Sequence, residues 1–110
     1  MQDNPSVGPR QLIWSDSARQ DFREIITYIA ERNPPATARV ADRIDRTVRN
    51  LAAMPTGRRG RVSGTYEKLV VGLPYIIAYS LETIPSGEQV LAVLRVIHGA
   101  RNWSPGTWPE

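Results

Sequence analysis

Val90-Leu91-Ala92-Val93-Leu94-Arg95-Val96-Ile97-His98-Gly99-Ala100-Arg101-Asn102-Trp103 is the stretch that decides how this chain folds. Val90 to Ile97 reads as a strongly apolar strand. Its apolar residues fall on both faces, the pattern of a strand interior to a sheet. His98, the only histidine, stands at the strand end, and Gly99, Arg101 and Trp103 follow at once. An apolar strand that stops at His, Arg and Trp is a buried scaffold presenting polar groups at its rim, where binding and catalytic side chains sit.

Working back from this strand, Ile84-Pro85-Ser86-Gly87 is a turn, and Tyr75 to Leu81 is rich in β-branched and aromatic residues that favour a strand. Gly72-Leu73-Pro74 is a second turn, preceded by a strand candidate from Tyr66 to Val71. These three strands predict an antiparallel meander.

Upstream of Arg61 the period is helical. Ala36, Val40, Ala41, Ile44, Val48, Leu51 and Ala52 form one apolar stripe, with Asp42, Arg43, Asp45, Arg46 and Arg49 on the polar side. Met54-Pro55-Thr56-Gly57 ends this helix. Before it, Phe22, Ile25, Ile26, Ile29 and Ala30 repeat at helical spacing and predict a helix of roughly Asp16 to Glu31. Ser15 or Ser17 can cap it; Ser17 with Gln20 matches a capping box, and Asp16 suits the positive end of the helix dipole. Asn33-Pro34-Pro35 stops the first helix and can begin the second. Leu12-Ile13-Trp14 is a short first strand.

The expected fold is therefore α+β: an N-terminal short strand, a two-helix antiparallel hairpin, then a three-stranded antiparallel meander covered by the helices on one face. The expected organisation is a flexible extension over 1–11, one domain over 12–103 and a tail over 104–110. The other sheet face is left to loops, tails or a partner.

With 110 residues the chain has room for one core. It has no cysteine, hence no disulfide and no thiolate metal site, which fits a reducing cytoplasm. No apolar run approaches the roughly 20 residues of a membrane span. Fourteen basic and 11 acidic residues give a net charge of +3, too small an excess for a whole-protein argument for nucleic acid. The positive bias is local: Arg58, Arg59 and Arg61, then Arg95 and Arg101. All basic residues but Lys68 are arginine, which suits forked contacts to carboxylate or phosphate; a GC-rich genome explains the bias equally well.

Taken in order, Ile13-Trp14-Ser15-Asp16-Ser17-Ala18, Tyr28-Ile29-Ala30, Asn33-Pro34, Arg61-Val62-Ser63-Gly64, Pro74-Tyr75-Ile76-Ile77-Ala78-Tyr79 and Leu94-Arg95-Val96-Ile97-His98-Gly99-Ala100-Arg101 resemble the ParE-type toxins of the RelE/ParE superfamily. The resemblance spans roughly Leu12 to Trp103. It implies a toxin of a bacterial type II toxin–antitoxin system, held in a hetero-oligomer by a cognate ParD-like antitoxin. Such antitoxins combine a DNA-binding part with a segment that wraps the toxin, so the toxin itself is not expected to bind DNA sequence-specifically. ParE-type members are associated with poisoning DNA gyrase, RelE-type members with cutting mRNA on the ribosome. One fold carries both activities and cannot choose between them.

RNA cleavage of the RelE kind needs a base, an acid and cations for the phosphate. Arg61, Lys68, Tyr79, Arg95 and His98 are the candidates here, His98 foremost because an unperturbed imidazole titrates near neutrality. Strand alternation sets Arg95 and His98 on opposite faces, and Leu69, Val70, Val71, Ile76, Ile77 and Ala78 offer no polar partners. The expected function is therefore a non-enzymatic gyrase inhibitor, without cofactor or metal, that stabilises the cleaved-DNA complex. The mRNA endonuclease is the alternative, and an inactive antitoxin-binding homologue a second one.

The candidate target-binding residues are Arg58, Arg59, Arg61, Arg95, His98, Arg101 and Trp103, because arginine and tryptophan anchor interfaces. Five of them also have a purely structural reading: a solvated loop for Arg58, Arg59 and Arg61, a strand-end hydrogen bond for His98, a lid on the sheet for Trp103. Ala38, Ala41 and Val48 are candidates for an antitoxin groove.

Overall fold

In the computed structural model, residues 10–99 are described. Their order is β1 (Gln11–Trp14), α1 (Asp16–Arg32), a single 3-10 turn (Pro34–Ala36), α2 (Thr37–Ala53), β2 (Arg58–Arg59), β3 (Tyr66–Leu69), β4 (Tyr75–Thr83) and β5 (Gln89–His98). The strands form one mixed sheet in the order β1-β5-β4-β3-β2.

The antiparallel run β3-β4-β5 is the expected meander, and β5 is interior, flanked by β1 and β4. The sheet is larger than the meander in two ways. β1 joins it parallel to β5, with Leu12 opposite Leu91 and Trp14 opposite Val93. A parallel pair needs a long crossover, and the two helices lie within it. At the other side, Arg58–Arg59 pairs antiparallel with β3 and so is an edge strand, where the sequence suggested a solvated loop. Two residues between Gly57 and Gly60 are too short to show a strand period, which is why the pattern missed them.

Ser15 is the helix cap, and the Ser17–Gln20 box does not form. Ser15 Oγ accepts from the Ala18 N–H at 3.0 Å and donates to the Leu94 carbonyl at 2.9 Å. One hydroxyl thus caps α1 and pins its start to β5. Gln20 instead donates to Glu24 at 2.9 Å.

Val40, Ile44, Val48, Leu51 and Ala52 of α2 are buried, as the stripe predicts. On α1 only Ala18 and Asp21 are buried; Phe22, Ile25 and Ile29 are half-buried against the core, and Ala30 is exposed. The core lies between the helices and one sheet face, around Tyr79, Ile77, Leu91, Val93 and Val96. Ile76, Ala78 and Ile97 form a second buried cluster, and alternation puts them on the opposite face. The ladder shifts between Ala78 and Tyr79, leaving Leu94 as an extra residue in β5.

Two residues expected in the N-terminal extension, Arg10 and Gln11, are part of the fold. Arg10 already donates its N–H to the Ala52 carbonyl at 2.9 Å, and Gln11 opens β1. Residues 1–9 and 100–110, with most of the expected extension and the whole tail, lie outside the described residues. No described helix is long and apolar enough to cross a membrane.

Candidate functional site

β1 stops opposite Val93, so from Leu94 onward one edge of β5 has no strand beside it among the described residues. A bare edge leaves backbone donors that must be satisfied. Helix α1 supplies the remedy. Asp21 Oδ2 accepts from the Val96 N–H at 2.9 Å and from Arg95 Nε at 2.6 Å, while Oδ1 accepts from Arg95 Nη2 at 2.9 Å. This forked pair is largely buried. The hydrogen bond to Asp21 holds the Arg95 guanidinium above its ordinary range, against the opposing effect of burial.

The register puts Arg95 opposite Ala78 and His98 opposite Tyr75. Their backbone positions therefore do fall on opposite faces, as alternation predicts. Arg95 nevertheless reaches round the strand edge to α1, a path that sequence period cannot reveal. His98 meets the Tyr75 ring edge-on, with centroids 5.6 Å apart. Burial pushes the Tyr75 phenol up, with a smaller contribution from Tyr28. Arg101 and Trp103 lie outside the described residues.

The arginine cluster at the far edge is built on Glu67, whose side chain is only 3% exposed. Glu67 Oε2 accepts from the Arg61 backbone N–H at 3.1 Å and lies 3.3 Å from Arg61 Nε; Oε1 is 3.8 Å from Arg58 Nη2. Arg59 is exposed and has no ion pair among the described residues. Thus one buried carboxylate orders a strip of exposed arginines. Lys68 Nζ donates to Thr56 Oγ1 at 2.9 Å.

Tyr79 is fully buried, stacks on Tyr66 at 5.5 Å and accepts the Gly57 N–H at 3.0 Å. Burial pushes its phenol up, opposed by the Gly57 hydrogen bond. A buried phenol harder to ionise is unsuited to serve as a base for a large substrate. Lys68 and His98 sit on strands separated by β4, with register partners Ile77 and Tyr75. Strand spacing puts their Cα atoms about 12 Å apart. The structure does not bring the five nuclease candidates together around one point. Among the described residues no His, Cys, Asp and Glu group could hold a metal.

Of the groove candidates, Val48 is wholly buried in the core, Ala41 is half-buried and Ala38 is exposed. Val48 therefore does not line a surface groove. Its place on the apolar stripe could not distinguish core from groove.

Two structural carboxylates escaped the sequence reading. Asp21 had a signal: it falls three residues after Ala18 and four before Ile25, on the buried side of α1. Glu67, between Tyr66 and Lys68, had none.

Residues 12–103 match the family described as ParE toxin of type II toxin-antitoxin system, parDE. The inferred toxin Y4kP of Sinorhizobium fredii is 34% identical over 95 residues, covering 86% of this chain and 93% of that protein. Toxin RelE2 of Caulobacter vibrioides is 33% identical over 92 residues, covering 83% and 97%. Among solved structures, the chromosomal ParDE system from P. aeruginosa superposes with a TM-score of 0.71 at 17% identity, covering 81% of this chain and 95% of that one. The RelBE2 toxin–antitoxin complex from Mycobacterium tuberculosis gives a TM-score of 0.53 at 20% identity, covering 83% and 99%. By the match over 12–103 and its full-length relatives, the chain belongs to the ParE toxin family of the RelE/ParE type II toxin–antitoxin superfamily.

Proposed function

We propose that this toxin acts by binding DNA gyrase and stabilising its cleaved-DNA complex, and that a ParD-like antitoxin neutralises it in a hetero-oligomer. The observation that carries the reading is the engagement of the nuclease candidates in the fold. Tyr79 is buried, Arg95 is clamped by Asp21, and Arg61 rests on Glu67. What stays presented is a strip of arginines at the edge of the sheet, suited to gripping carboxylate or phosphate.

The antitoxin part of the reading is supported by the two structural neighbours, both from toxin–antitoxin systems. Ala38 and Ala41 on α2 remain the proposed contact for its apolar side chains, and Arg58, Arg59 and Arg61 remain proposed target contacts that also suit its acidic ones. Arg95, His98, Arg101 and Trp103 remain proposed target contacts.

The mRNA endonuclease is the second reading, favoured by the 33% identity to a protein named RelE2. A paired assay on one toxin sample decides between them. Blocked supercoiling with accumulation of linear DNA is the expected result. Clean mRNA cuts in programmed ribosomes, with gyrase untouched, would assign the toxin to the second reading.

A further inference from the structure

A hollow of about 420 Å³ opens between α1 and the far ends of β4 and β5, lined among the described residues by Asp21, Glu24, Ile25, Tyr28, Tyr75 and His98. Its chemistry is uneven in a telling way. Two phenol rings and Ile25 give apolar walls, and two carboxylates give negative charge. Asp21 is spent on Arg95 and the Val96 N–H. Glu24 is less engaged: it accepts from the neutral amide of Gln20, makes no ion pair among the described residues, and acts on Arg95 only through its charge at longer range.

Tyr28 is a large ring left 53% exposed on the helix. The Arg32 guanidinium carbon already sits 3.9 Å from its ring centroid. The ring therefore accepts a cation over its face in this fold. An exposed aromatic face beside a carboxylate with no close ion-pair partner among the described residues is the pairing that captures a guanidinium: the quadrupole and the charge act on the same ligand in a partly desolvated hollow.

We propose that this hollow is a docking site for an arginine side chain presented by a partner protein. The guanidinium pairs with Glu24 and lies against Tyr28, while the aliphatic stem packs on Ile25. The site is on the opposite side of the sheet order from the arginine strip on β2, and it takes the opposite charge. The inference stands independently of whether gyrase is the target.

The test titrates isotope-labelled full-length toxin with the peptide acetyl-Gly-Arg-Gly-amide and, in parallel, the same peptide carrying neutral citrulline. The expected result is saturable shifts of the Glu24, Ile25 and Tyr28 signals with the arginine peptide and none with citrulline. Tyr28→Ala weakens binding by about 2- to 30-fold, Tyr28→Phe retains it, and Glu24→Gln weakens it comparably. Both positions are exposed, so these variants fold. Equal shifts with both peptides, or shifts centred elsewhere, overturn the proposal. Binding that emerges only in Arg101→Ala toxin also overturns it, by assigning the hollow to an arginine of this chain.

Discussion

Asp21 and Arg95, 74 residues apart in sequence, form a forked ion pair that closes the edge of β5 where β1 ends. The same carboxylate takes the Val96 N–H, so one side chain does there what a neighbouring strand's carbonyl does elsewhere in the sheet. Removing one partner of such a pair leaves an uncompensated charge, at a cost of about 3–5 kcal/mol. Asp21→Ala should lower stability by that order, and Arg95→Ala similarly. The double variant should lose much less than the sum, because the two act as a unit. Urea denaturation of all four proteins checks this. Additive losses would show that the pair does not close the edge.

The meander, both helices and the interior position of β5 were legible because period and turn residues carry them over many positions. Ile44, Val48 and Leu51 recur at helical spacing, and Gly72 and Gly87 stand in left-handed turns with φ of 80° and 93°. The parallel docking of β1 was not legible, since strand partners across a long crossover leave no local trace. The two-residue β2 was too short for a period. For the site, alternation correctly separated Arg95 from His98, but the reach of Arg95 to Asp21 depends on where α1 packs. Identical residue types, Arg59 and Arg61, turned out differently: one without an ion pair among the described residues, the other on Glu67.

The Tyr79 hydroxyl holds the Gly57 N–H inside the protein. Tyr79→Phe leaves that donor unsatisfied and should cost about 1–3 kcal/mol at neutral pH. The same phenol makes the protein alkali-sensitive. Burial raises its folded pKa above the ordinary 10.0, so the unfolded chain releases the proton first as pH rises. The stabilisation is complete below pH 10 and is lost as pH climbs toward the folded pKa. Tyr75, raised for the same reason, adds to the decline. Stability measured from pH 8 upward should therefore fall beyond about 10, less steeply in Tyr79→Phe. An unchanged slope in the variant would remove Tyr79 as the cause.

Gly57 sits where the chain leaves α2 and turns into β2. A Cβ placed there would lie 2.6 Å from the Tyr79 hydroxyl and 2.7 Å from the Glu67 carbonyl oxygen. The carbonyl belongs to β3 and cannot swing away, so Gly57→Ala must displace backbone, at about 1–3 kcal/mol. Gly64→Ala, where a Cβ meets nothing within 4 Å, tests the opposite case. Its only strain is a φ of 85°, worth about 1 kcal/mol. Thermal unfolding of the two variants should rank Gly57→Ala as the more damaged. The reverse order would mean that the segment before β2 can shift freely.

The arginine strip separates two roles that a single substitution would confuse. Arg59 is exposed and without an ion pair among the described residues, so Arg59→Ala should change stability by no more than about 0.5 kcal/mol. If the strip grips the target, this variant still weakens gyrase inhibition by about tenfold, equivalent to about 1.4 kcal/mol of binding. Glu67→Gln attacks the support instead. It removes the charge that orders Arg58 and Arg61, and should cost about 1–3 kcal/mol of stability. It should also blunt inhibition while leaving every arginine in place. Supercoiling assays on both variants, alongside their unfolding curves, distinguish contact from support. Full inhibition by Arg59→Ala together with full inhibition by Glu67→Gln would exclude the strip from target binding. Attention would then move to Arg95 and His98 at the other side of the sheet.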